Sequence, residues 1–157
     1  DTVCMANIAQ MVNVLQAMIL TEGSKMVLTP TYHVFALYAA HQGAQQLESY
    51  AETSILRHDN EAVPTLHVSA SRAADGKILV TVANLDSARA AEAKVMLGGV
   101  KAAAVGGTVL CGTADARNTF TAPDAVQPKA LSAMLTADGF TAALPACSVA
   151  AFTVTPQ

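Results

Sequence analysis

The sequence predicts a mixed fold, in which a short segment that contains a helix precedes an antiparallel β-sandwich. Three observations predict this fold. Residues 65–157 contain about seven short runs of β-type residues with turn residues between them. A helix-start signal stands earlier in the chain, at Thr29-Pro30. Between the two regions, residues 48–61 are polar and lead to Pro64, as expected of a connector.

The clearest part of the predicted sandwich is a β-hairpin. Residues 65–71 and 77–84 are both rich in β-formers and alternate in polarity, and Asp75-Gly76 stands between them. Asp-Gly tolerates the positive φ that a tight hairpin turn requires. Further β-type runs follow, separated by Gly, Pro, Asn and Asp, at residues 91–97, 107–112, 130–135, 139–144 and 148–155. We therefore expect residues 65–157 to form one all-β module.

Residues 3–20 allow two structures. Apolar residues recur there at helical spacing, at Ile8, Met11, Val12, Leu15, Met18 and Ile19. Val3–Ala9 would also serve as a short strand buried on both faces. Periodicity alone favours the helix. The next element has a firmer signal, because Thr29 can cap a helix that Pro30 begins and Gly43 stops.

Composition excludes several classes of protein. A net charge of -3 at pH 7 provides no basic surface for nucleic acid. Polar residues interrupt the most apolar stretch before it reaches the roughly 18 residues that a membrane helix needs, so we predict no membrane partner. The interrupting residues are Asn13, Gln16, Glu22 and Lys25. The 3 cysteines cannot all pair and lack Cys-x-x-Cys spacing, which favours buried thiols over a disulfide framework or a zinc site.

Residues 6–23 and 26–44 contain two distinctive sequence motifs, ANIAQMVNVLQAMILTEG and MVLTPTYHVFALYAAHQGA. These motifs resemble the corresponding sequence of the α-L-arabinofuranosidases of glycoside hydrolase family 51. Residues 118–123, 126–128 and 144–149 resemble the C-terminal module of the same enzymes. The resemblance therefore spans nearly the whole chain, and its motifs are most specific in the N-terminal part.

The resemblance implies a particular architecture. Residues 1–46 would be the C-terminal segment of a catalytic (β/α)8 barrel, residues 47–64 a connector, and residues 65–157 a β-sandwich of jelly-roll type. Val3–Ala9 would then be the last barrel strand, in conflict with the helix that periodicity favours. The chain would be the C-terminal portion of a larger enzyme. It would be inactive alone, because a barrel strand without its neighbours exposes unpaired edges.

The implied activity is hydrolysis of terminal arabinofuranosyl groups from arabinan or arabinoxylan saccharides, with retention of configuration and without a metal or an organic cofactor. Retention requires two carboxylates roughly 5 to 5.5 Å apart. In the family, both catalytic glutamates lie on earlier barrel strands, so no catalytic residue is assigned in this chain. Glu22 lacks a carboxylate partner at useful spacing and is expected to be solvated or paired with Lys25. The implied partners are the saccharide, the N-terminal remainder of the barrel and further copies in a homo-oligomer.

Gln10 is the site residue that the resemblance assigns. The C-terminal ends of barrel strands face the catalytic mouth, and in the family the glutamine of the matching Ile-Ala-Gln motif lies close to the sugar. A side-chain amide both donates and accepts hydrogen bonds, which suits sugar hydroxyls. We therefore predict that Gln10 binds substrate. Asn13 is a weaker candidate, because its amide is at least as well suited to satisfying backbone groups of the loop after the strand.

The histidines do not predict a metal site. His33 and His41 are eight residues apart, while His58 and His67 fall in different elements, so no pair has the spacing of a zinc helix. We expect His33 to hydrogen-bond between the helix and neighbouring loops.

Two alternatives stay open from the sequence. The first is a non-catalytic β-sandwich interaction module whose N-terminal helices dock on a partner, and a helix throughout residues 3–20 would favour it. The second is a related glycosidase with a different substrate preference, because the loops that set specificity lie outside this sequence.

Overall fold

The structure, a computed structural model, describes residue 8 and residues 10–157. Its helices are α1 (Pro30–Tyr38) and a short 3-10 helix (Ala39–His41). Its strands are β1 (Ile19–Glu22), β2 (Lys25–Leu28), β3 (Gln45–Leu47), β4 (Ile55–His58), β5 (Glu61–Pro64), β6 (Leu66–Arg72), β7 (Ile78–Asn84), β8 (Ala91–Met96), β9 (Ala102–Cys111), β10 (Lys129–Leu131), β11 (Met134–Thr136), β12 (Gly139–Leu144) and β13 (Ser148–Pro156).

These strands form two main sheets and two separate hairpins. The larger sheet has six strands in the order β10-β9-β13-β7-β6-β3, and the smaller has three in the order β11-β12-β8. The hairpins are β1-β2 and β4-β5. All of these pairings are antiparallel.

The two sheets pack face to face around one apolar core. Side chains alternate between the faces of a strand, and alternate residues of β7, β9 and β13 meet those of β8 and β12. The buried members of the core are Ile78, Val80, Val82, Ala93, Val109, Phe140, Ala142, Leu144, Ala150, Phe152 and Val154. The Phe140 and Phe152 rings, which are 0% and 1% exposed, have centroids 4.9 Å apart. This packing confirms the predicted antiparallel sandwich.

The opposite face of the six-stranded sheet is covered by the helical segment. Helix α1 contacts β9 and β13, and the 3-10 helix contacts β6. Leu79, Thr81 and Leu110 alternate with the core residues of their strands and are buried on this second face. The sheet is therefore covered on both sides.

The hairpin and the helix that have the strongest sequence signals are both present. Strands β6 and β7 pair, and the turn between them has Gly76 at φ +85°. Thr29 has an extended backbone and accepts a hydrogen bond from the Tyr32 N–H through its side chain at 3.5 Å, with Pro30 at the first helical position. Gly43, at φ +71°, follows the 3-10 helix. The predicted turn and the predicted cap are confirmed.

The N-terminal segment differs from the helix that periodicity favours. Residues 10–18 form turns and bends, and residues 19–28 form the β1-β2 hairpin, so no helix lies between residues 10 and 20. The predicted strand Val3–Ala9 lies outside the described residues except for Ile8.

The expected connector contains the β4-β5 hairpin, in which Asp59 adopts a φ of +50°. Within residues 10–157, no helix has the length and apolar character to cross a bilayer.

Candidate functional site

The candidate substrate-binding residue stands at the start of a turn, residues 10–18, which we call the Gln10 turn. Gln10 is exposed and has a φ of +49°. Asn13 and Gln16 also have positive φ, at +55° and +63°. Such backbone conformations are unfavourable for residues other than glycine and persist where neighbouring contacts hold them. The Gln10 turn is therefore a shape that the surrounding structure has to maintain.

Asn13 holds the Gln10 turn against strand β1. Its Nδ2 donates to Thr21 Oγ1 at 2.9 Å, and its Oδ1 accepts from the Thr21 N–H at 2.7 Å. Its own N–H donates to the Ile19 carbonyl at 3.1 Å, and the Ile19 N–H donates to the Met11 carbonyl at 3.0 Å. The Asn13 amide therefore has the structural role that the sequence leaves open beside sugar binding.

Thr29 connects the end of the Gln10 turn to the start of helix α1. Its Oγ1 donates towards the Ala17 carbonyl at 2.8 Å and lies 3.2 Å from the Met18 carbonyl. Its N–H donates to the same Met18 carbonyl at 3.0 Å. Ala17 is buried, at 3% exposure. The helix cap and the turn are therefore joined by the same residue.

A loop of the sandwich also contacts this region. Residues 112–128 connect β9 to β10, and we call them the bridging loop. Asn118 in this loop is buried and donates from Nδ2 to the Leu28 carbonyl at 2.8 Å and to the Val126 carbonyl at 2.9 Å. Its Oδ1 accepts from the Val126 N–H at 2.7 Å. Asn118 thus fastens the bridging loop to the last residue of β2, 90 positions away in sequence.

Two histidines lie where the helical segment meets the sandwich. His41 bridges two buried hydroxyls, with Nδ1 at 2.7 Å from Ser71 Oγ and Nε2 at 2.7 Å from Thr81 Oγ1. Burial lowers the pKa of His41 below its usual 6.5. Burial also lowers the pKa of His33, and the nearby carboxylate of Asp124 in the bridging loop partly opposes that shift. Among the described residues His33 makes no side-chain hydrogen bond, so the contact that we expected between the helix and neighbouring loops is not seen. His41 instead bonds to strands β6 and β7.

The other residues that could act in catalysis or bind a metal do not form a cluster among the described residues. The side chains of Glu22, Glu48, Glu52 and Glu61 are exposed. His58 and His67 are exposed as well. Within residue 8 and residues 10–157, no three His, Cys, Asp or Glu side chains gather as a metal would require. Cys111 and Cys147 are half-buried thiols, and Cys4 lies outside the described residues.

Several large apolar side chains of the N-terminal segment are exposed, in contrast to the sandwich core. They are Met11, Val12, Leu15, Met26 and Phe35. Leu15 is 90% exposed, and helix α1 buries none of its residues fully although most of them are apolar. Contiguous exposed apolar surface is typical of regions that contact another protein, a membrane or a ligand.

Sequence patterns alone do not identify the roles of Asn118 and His41. Both residues act over long sequence separations, 90 positions for Asn118 and 30 and 40 for His41. Asn118 does stand in one of the motifs that carry the family resemblance, which is the available signal for it. The motif shows that Asn118 belongs to the family pattern, but it does not identify the residues that Asn118 contacts.

Comparison with known proteins supports the resemblance. The sequence profile of the α-L-arabinofuranosidase C-terminal domain matches residues 1–148. An intracellular exo-α-L-arabinofuranosidase from Bacteroides ovatus is 43% identical over 131 residues, which cover 82% of this chain and 25% of that protein.

Solved structures agree with the sequence match. The family 51 arabinofuranosidase from Xanthomonas axonopodis pv. citri superposes with a TM-score of 0.91 at 45% identity, covering 96% of this chain and 31% of that one. A family 51 α-L-arabinofuranosidase from Bifidobacterium longum superposes with a TM-score of 0.81 at 26% identity, covering 94% and 30%. This chain therefore spans about a quarter to a third of the length of these relatives. On the profile match and these identities, the chain belongs to the α-L-arabinofuranosidase C-terminal domain family.

Proposed function

We propose that this chain works as the C-terminal part of an α-L-arabinofuranosidase that releases terminal non-reducing arabinofuranosyl residues from arabinan or arabinoxylan saccharides. The observation that carries the proposal is the 43% identity to an exo-α-L-arabinofuranosidase over 82% of the chain. The surface of the N-terminal segment supports it, because exposed apolar side chains such as those there are typical of a surface that packs against another protein segment. The partner proposed is the N-terminal remainder of a catalytic barrel.

The proposed division of the chain follows from this role. Residues 1–46 would complete the (β/α)8 barrel, residues 47–64 would connect, and residues 65–157 would form a sandwich of jelly-roll type. Strand β3, which pairs with β6, would tie the first segment to the edge of the larger sheet. Helix α1 would have one side on the six-stranded sheet and the other on the barrel.

The proposed mechanism is retaining hydrolysis by two carboxylates, roughly 5 to 5.5 Å apart, that come from the rest of the enzyme. It uses no metal and no organic cofactor. From this chain, Gln10 would orient the sugar, because its exposed amide can donate to one ring substituent and accept from another. The chain would hold part of the sugar site and none of the bond-breaking groups.

The function is tested with the full-length enzyme and an aryl α-L-arabinofuranoside, with the matching aryl β-D-xyloside as the competing substrate. Proton NMR of the first-formed sugar gives the stereochemistry. We expect cleavage of the arabinofuranoside with retention of configuration. Preference for the xyloside would contradict the substrate, and an inverted product would contradict the mechanism. Light scattering on the same sample measures the native mass, for which the family resemblance predicts a homo-oligomer.

The role of Gln10 is tested by Gln10→Ala, with Gln16→Ala as the matched control. Both glutamines are exposed, have positive φ and lie in the same turn. Loss of a hydrogen bond to the sugar should lower kcat/KM about tenfold for Gln10→Ala. Gln16→Ala should leave kcat/KM unchanged. Equal losses in the two variants would show a general effect of the turn and would remove Gln10 from the sugar site.

A further inference from the structure

We propose that the bridging loop of the sandwich positions the Gln10 turn, with Asn118 and Thr29 as the positioning residues. The inference rests on the proposed role of Gln10 and extends it to the second domain. Neither residue would touch the sugar. Each would act through the backbone segment that carries Gln10.

Asn118 is the fixed point of the proposed arrangement. Its amide makes three hydrogen bonds within 2.9 Å, two donated and one accepted, while its side chain is buried at 4% exposure. A buried amide with its donors and its acceptor engaged has one orientation. Two of the three bonds tie it to Val126, which is itself buried in the bridging loop. The third therefore holds the Leu28 carbonyl at a position set by the sandwich.

The next link passes from Leu28 to the Gln10 turn. Leu28 precedes Thr29, and Thr29 bonds through its N–H and its hydroxyl to the carbonyls at the end of the turn. From there the Ile19 N–H reaches the Met11 carbonyl, one residue after Gln10. Each link in the series is a hydrogen bond or a peptide bond. A shift of Asn118 would therefore be transmitted to the backbone beside Gln10.

His41 attaches the other end of the same helix to the sandwich. Its ring bonds to Ser71 and Thr81 lie just beyond the C-terminus of α1, whereas Thr29 and Asn118 act at the N-terminus. The helix is thus held at both ends by polar contacts. Because the C-terminal end of the helix is fixed, loss of the Asn118 contact would displace mainly the N-terminal end, where the Gln10 turn lies.

The test is a double-mutant cycle on kcat/KM in the full-length enzyme, with an aryl α-L-arabinofuranoside as substrate. Asn118→Ala should lower kcat/KM about tenfold when Gln10 is present, because small displacements of a binding group are costly. In the Gln10→Ala background the same change should cost less than about twofold. Equal factors in the two backgrounds would overturn the proposal, since they would show that Asn118 does not act through Gln10.

Asn84→Ala is the matched control for loss of a buried asparagine. Asn84 is 2% exposed, donates to the Arg89 and Pro145 carbonyls, and accepts from the Asp86 N–H, all within the sandwich. Its loss should lower the melting temperature about as much as Asn118→Ala, while kcat/KM stays within about twofold of wild type. A loss of kcat/KM equal to that of Asn118→Ala would overturn the proposal.

Thr29 gives a second test that keeps the core of the bridging loop intact. Thr29→Val removes the hydroxyl and should lower kcat/KM with the same dependence on Gln10. Thr29→Ser keeps the hydroxyl and should have a kcat/KM close to that of the wild type. A kcat/KM for Thr29→Ser as low as that of Thr29→Val would overturn the hydrogen-bonded link.

If Gln10→Ala alone leaves kcat/KM unchanged, the proposed function of Gln10 and this inference both fail. If Gln10→Ala lowers kcat/KM but shows no coupling, this inference alone fails.

Discussion

The sandwich core and the N-terminal segment handle apolar side chains in opposite ways. In the core, Phe140 and Phe152 are 0% and 1% exposed and are enclosed by residues of both sheets. In the N-terminal segment, Leu15 is 90% and Phe35 is 46% exposed. The core is complete within this chain. The N-terminal segment is shaped by contacts with the sandwich on one side and presents apolar surface on another.

The two regions are joined by polar contacts. His41 bonds to two hydroxyls of the six-stranded sheet, and Asn118 bonds to the end of β2. Hydrogen bonds are directional, so they specify relative position better than apolar packing does. Apolar side chains therefore stabilise the sandwich, and polar side chains fix the position of the N-terminal segment against it. The substitutions below distinguish these two roles.

Phe152→Ala should have the largest effect on stability. The ring is fully enclosed, so its removal leaves a cavity as well as lost burial, at a cost of about 3 to 5 kcal/mol. Urea unfolding of the chain, followed by far-UV circular dichroism, measures the free energy. A cost below about 1 kcal/mol would mean that the two sheets are not packed as described.

Gly107→Ala should be the next largest. A Cβ at Gly107 would lie 2.6 Å from the Leu131 carbonyl oxygen and 3.0 Å from the Phe152 ring, so the sheet would have to shift, at about 1 to 3 kcal/mol. The adjacent Gly106→Ala is the control, because a Cβ there meets no atom within 4 Å. The same urea titration should separate the two variants. Equal stabilities would contradict the close approach of β9 to its neighbours.

His41 should make the helix contact sensitive to acid. Its pKa is lowered by burial, so the unfolded chain binds the proton first as the pH falls. The stabilisation from neutral His41 should be complete above pH 6.5, the usual value, and be lost as the pH falls through the lowered pKa. Thermal melts from pH 8 to pH 5 should show a smaller decline for His41→Gln than for wild type. His58→Gln, at an exposed position, should decline as wild type does.

Phe35→Ala should have the smallest effect in the chain alone, within about 0.5 kcal/mol, because its ring is already partly solvated. In the full-length enzyme the same substitution should cost more, since we propose that the barrel covers this side of α1. Parallel urea titrations of the two proteins compare the costs. The same small cost in both would indicate that Phe35 stays exposed in the complete enzyme.

Local signals predicted much of the fold. Asp75-Gly76 and Thr29-Pro30 determine a turn and a helix start through backbone preferences that act within a few residues, and both features are present. A run of β-type residues bounded by turn residues likewise predicted β12 over residues 139–144 with its observed bounds. The sequence therefore predicts elements that depend on neighbouring residues.

Other features depend on residues far apart in sequence. The sequence patterns did not predict the β1-β2 hairpin, because the apolar spacing of residues 3–20 is also compatible with a helix that would extend into β1. The contacts of Asn118 and His41 form between separate elements, and no local pattern specifies the partner of a buried polar side chain. Family resemblance supplied the assignment of Gln10, and its role at the sugar stays a prediction.

The most direct measurement compares hydrolysis of an aryl α-L-arabinofuranoside by three samples: the 157-residue chain, the N-terminal remainder of the enzyme, and the two joined as one polypeptide. If the chain contributes Gln10 and the closing segment of the barrel while the remainder contributes both carboxylates, the joined protein should be active and each part inactive. Hydrolysis by the 157-residue chain alone, at the kcat of the joined protein, would contradict this division of the active site.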